Sequence, residues 1–393
     1  MIGRRQLAVA SPISVVALAR SFVDSLGAAP PLHARARERI ARELGARSVT
    51  LTDSGTSALV LALRLAAPNG IVGLPAYACV DLTAAALYAG VRVRLYDIDP
   101  DTLSPDLDSV RRMLRRGVDA IVVAHLFGYP ADVSSIREIA AHDGVTVIED
   151  AAQGAGGTSN GRRLGGLGEL GVLSFGRGKG LCAAGGGALV GAGDRWSAAV
   201  ESLDVPVAGR GLSGLAKTGV QWMLGRPSLY ALPSMLPWLH LGEMVYHPAG
   251  EPGGMSAASG ALVNAAFDLE PADVAARRAH AALLERAVHD APELAGVTGL
   301  PGASPAFLRF PVRDLSGRRR SAPELGIVRP YPATLADHAE LRPILTAGEP
   351  AVPGATELRD SLFALPTHRF VTDSDVSALH RWMRNLPRES GRG

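Results

Sequence analysis

Val147-Ile148-Glu149-Asp150-Ala151-Ala152-Gln153 and, further on, Ser174-Phe175-Gly176-Arg177-Gly178-Lys179-Gly180 decide how this chain of 393 residues folds. Each follows a short apolar run, at 145–148 and 172–175. Runs of that length, rich in Val and Ile, read as buried parallel strands. Two acids directly after the first run fit a site at the carboxyl edge of a sheet, and fit equally a loop-start carboxylate that caps the next turn. The second run enters a glycine-rich loop that carries a lysine. It is not a P-loop, because that motif needs glycine at 173, which is Leu173, and a hydroxyl residue at 180, which is Gly180. Gly154-Ala155-Gly156-Gly157 echoes a dinucleotide-binding turn, but it opens no evident helix.

Outward from this pair, further apolar runs lie at 71–74, 91–96 and 120–124. Helical patterns alternate with them at 54–67, 80–89, 105–115 and 133–142. This alternation predicts an α/β domain with a mainly parallel sheet. Residues 203–254 lose any clean period. Helices are then expected at 257–269 and 271–291, strands near 306–312 and 326–329, and a last helix at 373–385. The chain divides on this reading into a large α/β domain over 1–250, including an N-terminal arm and a connecting segment at 203–250, and a smaller α+β domain over 251–393.

Composition narrows the function. With 47% hydrophobic and 20% charged residues, the chain is neither disordered, collagenous nor coiled-coil. Its net charge of +2 gives no electrostatic case for nucleic acid or an anionic membrane. Cys79 and Cys182 cannot build a disulfide framework and fit no zinc site, so no metal is expected and the chain reads as intracellular. No run approaches the ~20 apolar residues of a membrane span. Residues 1–5 are basic and 7–19 mildly apolar, a faint likeness to a signal peptide. Ser11-Pro12-Ile13-Ser14 interrupts it, and an N-terminal arm is the preferred reading. Of 40 basic residues, two are lysines, Lys179 and Lys217, and the other 38 are arginines. A lysine surviving in such a chain points to a task arginine cannot perform, losing a proton to act as an amine nucleophile.

Two more motifs sit at strand ends. Asp53-Ser54-Gly55-Thr56-Ser57-Ala58-Leu59 opens a helix, with Ser54 or Thr56 able to cap it. Glycine and small hydroxyl residues there offer backbone N–H groups to an anion, although the motif alone reads first as an N-cap. In Leu74-Pro75-Ala76-Tyr77-Ala78-Cys79, Tyr77 or Cys79 can border a ligand; packing is the plainer reading.

In order, the chain carries Ser-Gly-Thr-Ser-Ala-Leu (54–59), Pro-Ala-Tyr (75–77), Asp-Ile-Asp-Pro (97–100), His125-Leu126-Phe127-Gly128, Glu149-Asp150-Ala151-Ala152-Gln153, Ser174-Phe175 with Lys179, and Gly185-Gly186-Gly187-Ala188. This set resembles the DegT/StrS family of pyridoxal-phosphate enzymes, the sugar aminotransferases of fold type I. The likeness is strong over 50–191 and continues weakly through Met255-Ser256, Arg277-Arg278, Tyr331-Pro332 and Leu365-Pro366-Thr367-His368. It implies a seven-stranded, mainly parallel sheet, a small C-terminal domain, and a homodimer with its site at the subunit interface. It implies pyridoxal 5′-phosphate as cofactor, an amino-acid donor expected to be glutamate, a keto sugar nucleotide as acceptor, and a place in the cytoplasm.

Residue by residue, the resemblance makes Lys179 the lysine of the internal aldimine (a Schiff base), Asp150 the partner of the pyridine nitrogen, and Gln153 the neighbour of the ring oxygen. Ser174, Thr56, Ser57 and the backbone at Gly55 match the phosphate cradle. Cys79 stands where an aromatic residue usually stacks on the ring. Two other positions depart from the family. Pro252-Gly253-Gly254 replaces an Asn-Tyr-Arg stretch through which the partner subunit reaches the phosphate, and Gly180 replaces Asn. Some members lack the lysine and dehydrate their substrate; Lys179 argues against that here. Alternatives are a different reaction on the same cofactor, a non-sugar acceptor, or a non-catalytic relative. Within 203–250, Trp222, Tyr230, Trp238 and several leucines lie near Lys217 and Arg226. They fit a packing segment better than a surface for a membrane or lipid-linked substrate.

Overall fold

Every apolar run read as a strand before position 191 enters one sheet. A computed structural model describes residues 5–206, 208–231 and 245–385. Its strands in chain order are β1 (Ser48–Thr52), β2 (Ile71–Pro75), β3 (Arg92–Tyr96), β4 (Ala120–Ala124), β5 (Thr146–Asp150), the short pair β6 (Thr158–Ser159) and β7 (Arg162–Arg163), β8 (Leu170–Ser174) and β9 (Gly187–Gly191). Among the described residues the main sheet has seven strands in the order β1-β9-β8-β5-β4-β2-β3. From β8 through β5, β4 and β2 to β3 every pairing is parallel. β9 runs antiparallel to both β1 and β8. The apolar runs did not predict β1 or β9. Their sequences, Ser-Val-Thr-Leu-Thr and Gly-Ala-Leu-Val-Gly, break their apolar residues with threonine or end them in glycine, and sheet context supplies what local propensity does not.

Helices α1 (Val15–Asp24) and α2 (Ala29–Leu44) precede the sheet, and α3 (Gly55–Ala66), α4 (Asp81–Ala89), α5 (Leu107–Arg115) and α6 (Val133–Ala141) connect its strands. Ser54, Asp106 and Asp132 cap α3, α5 and α6, each accepting from the backbone N–H three residues on. After β9 come α7 (Asp194–Glu201) and α8 (Leu212–Leu224), the latter within the stretch that showed no period. Trp222 lies on α8 with the Arg226 guanidinium 4.4 Å from its ring; Trp238 falls outside the described residues.

The two helices expected around Pro271 are one, α9 (Ala257–His289). An interior proline costs roughly 3 kcal/mol. No helix-ending glycine accompanies it, and the helix is anchored at both ends. Its first half packs Ala258, Leu262, Val263 and Phe267 into the core of the main sheet. Its second half packs Ala281, Leu284 and Val288 into a separate core with Phe310, Val312, Phe363, Leu379 and Met383. That second core lies on β10 (Leu294–Gly296), β12 (Phe310–Asp314) and β13 (Leu362–Leu365), an antiparallel sheet covered by α11 (Asp373–Arg384), which follows α10 (Pro353–Ser361). The intervening β11 (Ala303–Ser304) pairs with β6, tying this part of the chain to the loop after β5. The strand expected at 326–329 reduces to isolated bridges, and the one expected at 306–312 begins only at Phe310. Residues 306–309 instead cross the loop after β4, with the Ala306 N–H donating to Gly128 O at 2.9 Å.

Strand alternation separates the two acids that end β5. Glu149 is wholly buried on the side away from the ligand pocket described below. Its carboxylate accepts from Gly165 N (2.6 Å), Leu167 N (2.6 Å), Gly168 N (3.0 Å) and His125 Nε2 (2.8 Å). His125 Nδ1 accepts from Ala131 N, which leaves Nε2 as the donor. Burial opposes ionisation of Glu149, yet these hydrogen bonds prevail and hold its pKa below the usual carboxylate value. Glu149 therefore stabilises the fold above the ordinary carboxylate range, and that stability is lost as pH falls through its folded value. Glu149→Gln should cost about 3 kcal/mol in urea unfolding near neutral pH and flatten the acid limb of the stability–pH curve. An unchanged acid limb would contradict this reading.

Candidate active site

β4, β5 and β8 are adjacent and parallel, so their carboxyl ends open on one side. Asp150 pairs in register with Ala124 and with Val172. That places His125, Asp150 and Ser174 along a single edge, where α/β sheets bind ligands. The chain leaves β8 at Ser174, loops through Lys179 and returns as β9 at Gly187. Ser174 pairs with Gly187, and Gly186 bridges to Ser54. The return strand thus runs against the start of α3. A Cβ on Gly187 would lie 2.6 Å from Gly55 N, so only glycine admits this approach.

One pocket gathers Gly55, Thr56, Cys79, Asp150, Gln153, Ser174 and Lys179, with Asp81 and His125. Ser57 is not among its lining residues; its N–H is taken by Ser54 Oγ at 3.0 Å, so Ser57 serves the cap of α3. The Thr56 end lies at the N-terminus of α3, where first-turn N–H groups have no intrahelical acceptor and favour an anion. At the other end Asp150 accepts one protein hydrogen bond, from Ala152 N at 2.9 Å. Burial raises its pKa, while the Ala152 bond and the Lys179 charge pull it back. Its remaining lone pairs are available to a cationic N–H. Lys179 makes no ion pair among the described residues, and its charge reaches both Asp150 and Cys79. The Cys79 thiol is pushed up to about 12, chiefly by burial, and hydrogen-bonds to Asp81. It is therefore a neutral wall of the pocket rather than a nucleophile.

Gln153 is fixed at both ends of its amide. Oε1 accepts from Phe127 N at 3.2 Å and Nε2 donates to Tyr331 Oη at 2.6 Å. Tyr331 packs on Phe127 and Tyr77 with centroids 5.4 and 5.1 Å away. The lysine loop is held from the arm at the N-terminus. Gly178 N donates to Ser11 Oγ at 2.9 Å, and Gln6 reaches Asp375 Oδ2 on α11 at 2.9 Å. The stretch 252–254 lies across the β1–α3 junction of its own chain, with Asp53 N donating to Gly253 O. Sequence reading missed Asp81, Ser11 and the part played by Tyr331. Asp81 stood two residues after Cys79 at a helix start, a position open to inspection. Ser11 carried no local signal.

A helix N-terminus, a half-buried carboxylate with free lone pairs and an amine with no ion pair among the described residues fit pyridoxal 5′-phosphate. The phosphate would sit at Gly55, Thr56 and Ser174, the ring nitrogen at Asp150 and the aldehyde carbon at Lys179. Sheet order and pocket together define a pyridoxal-phosphate transferase of fold type I. The chain belongs to the DegT/DnrJ/EryC1/StrS aminotransferase family, whose model matches residues 31–323.

Among individual proteins, the chain is 36% identical over 139 residues to the UDP-N-acetyl-3-dehydro-α-D-glucosamine 3-aminotransferase of Acidithiobacillus ferrooxidans, covering 35% of this chain and 38% of that protein. Matches to the curated relatives span about a third of their length, 38%, 33% and 30% for the first three. Solved structures align over nearly the whole chain. The aminotransferase TlmJ of Streptoalloteichus hindustanus gives a TM-score of 0.74 at 23% identity, covering 97% of this chain and 98% of that one. The GDP-4-keto-6-deoxy-D-mannose-3-dehydratase of E. coli with bound hydrated PLP gives 0.74 at 15% identity, over 96% and 99%.

Gly55→Ala tests the cradle. Its Cβ would meet Ser174 Cβ at 2.7 Å and Ser174 Oγ at 3.0 Å, pushing the serine from the phosphate position. Affinity for pyridoxal phosphate, measured by spectroscopic titration, should fall at least about tenfold, equivalent to one charge-assisted hydrogen bond. Undiminished affinity would place the phosphate elsewhere.

Proposed function

We propose that the protein is a cytoplasmic aminotransferase that moves an amino group from an amino acid, with glutamate the expected donor, to the keto carbon of a sugar nucleotide. The observation that carries this reading is the unpaired Lys179 amine in one pocket with the Asp150 carboxylate and the Gly55–Thr56 cradle. The acceptor class is that of the Acidithiobacillus relative, a UDP-N-acetyl-3-dehydro-α-D-glucosamine 3-aminotransferase. When bound, pyridoxal phosphate supplies a carbonyl that condenses with amines and a ring that takes up electrons from the neighbouring carbon. Asp150 would hold the ring nitrogen by accepting its N–H. The N-terminus of α3 and Ser174 would hold the phosphate. Lys179 Nζ would take the proton from the donor's α-carbon and later return one to the carbon being aminated. Arginine could not do this, because it does not lose its proton.

The same reading makes the enzyme a homodimer. Val16, Phe22 and Val23 on α1 are exposed, as are Val220 and Met223 on α8, which packs against it. Apolar surface shared by two adjoining helices supports a second copy as its cover. The departure at 252–254 leaves no arginine there for a partner's phosphate, so the interface is expected to shape the acceptor site rather than hold the cofactor.

Two experiments test these claims. Borohydride reduction of the protein reconstituted with pyridoxal phosphate, followed by peptide mapping, should place a pyridoxyl group on Lys179, and Lys179→Ala should lower kcat by about 10²–10⁴-fold or more. A protein that is never modified at Lys179 rules out the cofactor chemistry. Phe22→Asp combined with Val23→Asp should convert the protein from dimer to monomer in light scattering. A wild type that is already monomeric defeats the dimer.

A further inference from the structure

Gln153 lines the ligand pocket, and two distant parts of the chain decide which way its amide faces. Oε1 accepts from Phe127 N at 3.2 Å, and Nε2 donates to Tyr331 Oη at 2.6 Å. A backbone N–H can only donate, so the end that meets Phe127 is the amide oxygen and the end that meets Tyr331 is the NH2 group. Nε2 carries two hydrogens. Tyr331 accepts one, and the other has no acceptor among the described residues.

The Phe127 anchor is a strained one. Phe127 has φ 56°, in the left-handed region that side chains rarely adopt, and Gly128 follows at φ 87°. Residues 306–309 pin this turn, with Ala306 N donating to Gly128 O at 2.9 Å and Arg309 N to Phe127 O at 3.3 Å. A Cβ on Gly128 would lie 2.7 Å from Leu308 N, so the crossing requires glycine. Tyr331 arrives by a different route. Val328 bridges to Ala364 of β13, and Leu335 N donates to Ala76 O at 2.8 Å, so the segment between them runs from the second core to the end of β2. There the Tyr331 ring stacks on Phe127 and meets Tyr77 edge-on. Phenylalanine would fill the same place between those rings, so packing does not account for the hydroxyl. The last torsion of glutamine is broad and two-fold, and an amide that must face one way needs two fixed points.

We propose that Tyr331 is a positioning residue that, by accepting one hydrogen of Gln153 Nε2, directs the other into the pocket as a donor to the ring oxygen of the cofactor. This rests on the aminotransferase reading above. Tyr331 touches neither cofactor nor substrate on this proposal and acts through Gln153. A donor at the ring oxygen stabilises its negative charge most when the proton beside it has left. It therefore lowers the pH at which the bound cofactor loses that proton and changes colour. Tyr331 does not itself titrate in that range, because burial pushes its hydroxyl well up.

The test is a double-mutant cycle on the reconstituted enzyme, read as the pH midpoint of the cofactor's visible absorbance. Tyr331→Phe keeps the ring packing and removes the anchor. It and Gln153→Ala should each raise the midpoint by about one pH unit, a tenfold change and the size of one charge-assisted hydrogen bond. Together they should raise it no further than Gln153→Ala alone. Cys79, Asp81, His125, Asp150 and Lys179, the ionisable residues of the pocket, are present in every variant, so the differences report the amide. A second readout titrates cofactor-free protein with pyridoxal phosphate and with its 3-deoxy analogue, which lacks the ring oxygen. Tyr331→Phe should weaken the first by about tenfold and the second by less than about threefold. A midpoint that Tyr331→Phe leaves unmoved, or moves as far in the Gln153→Ala background as in the wild type, overturns the proposal. So do equal losses for the two cofactors, which would make Tyr331 a packing residue. In either case a Lys179 adduct leaves the aminotransferase reading intact, whereas a protein with no visible band and no adduct defeats that reading and this proposal with it.

Discussion

Asp150 is a half-buried carboxylate at the end of a central strand, and much of the architecture follows from keeping it charged and accessible there. Burial alone drives such a group toward its neutral form. What offsets this is a short list: one backbone N–H from Ala152, the charge of Lys179, and room for a cationic ring nitrogen. Glu149, its neighbour in sequence, solves the same problem differently. Turned to the opposite face, it is saturated by three backbone N–H groups and His125. One residue of register therefore separates a carboxylate that holds a turn together from one that holds a ligand.

Lys179 depends on more distant support, because it sits in a loop with no secondary structure of its own. The loop is confined by the β8–β9 pairing at its two ends and by Ser11 at Gly178. The arm that carries Ser11 is itself tied to α11 through Gln6 and Asp375. Residues 306–309 reach the same edge from the second core by crossing the loop after β4. Helix α9 belongs to both cores, which explains why it continues through Pro271. Breaking it there would uncouple the half that packs on the main sheet from the half that supports β12.

The departures from the family pattern lie apart: Cys79 lines the pocket, whereas 252–254 cross the β1–α3 junction of the same chain. Cys79 stands where a ring-stacking residue would be expected, and desolvation beside Asp81 pushes its thiol up to about 12. This wall is smaller and more polar than a stacked aromatic ring would make it. Gly55, Thr56, Asp150, Gln153, Ser174 and Lys179 keep the family's residue types and line one pocket.

Much of this was legible in order along the chain. Apolar runs located the parallel strands β2, β3, β4, β5 and β8, and helical patterns located the helices between them. The scarcity of lysine singled out Lys179, and seven of the eight expected site residues line one pocket. These features are local: a strand's burial, a helix cap or an amine's chemistry depends on a few adjacent residues. The tertiary structure alone decided that β1 and β9 join the sheet, that Ser57 serves a cap, that α9 is unbroken, and that Tyr331 and Ser11 hold Gln153 and the lysine loop. Those outcomes depend on partners far away in sequence. Register, packing and the pairing of a buried charge are set by which surfaces meet, and no single segment encodes that.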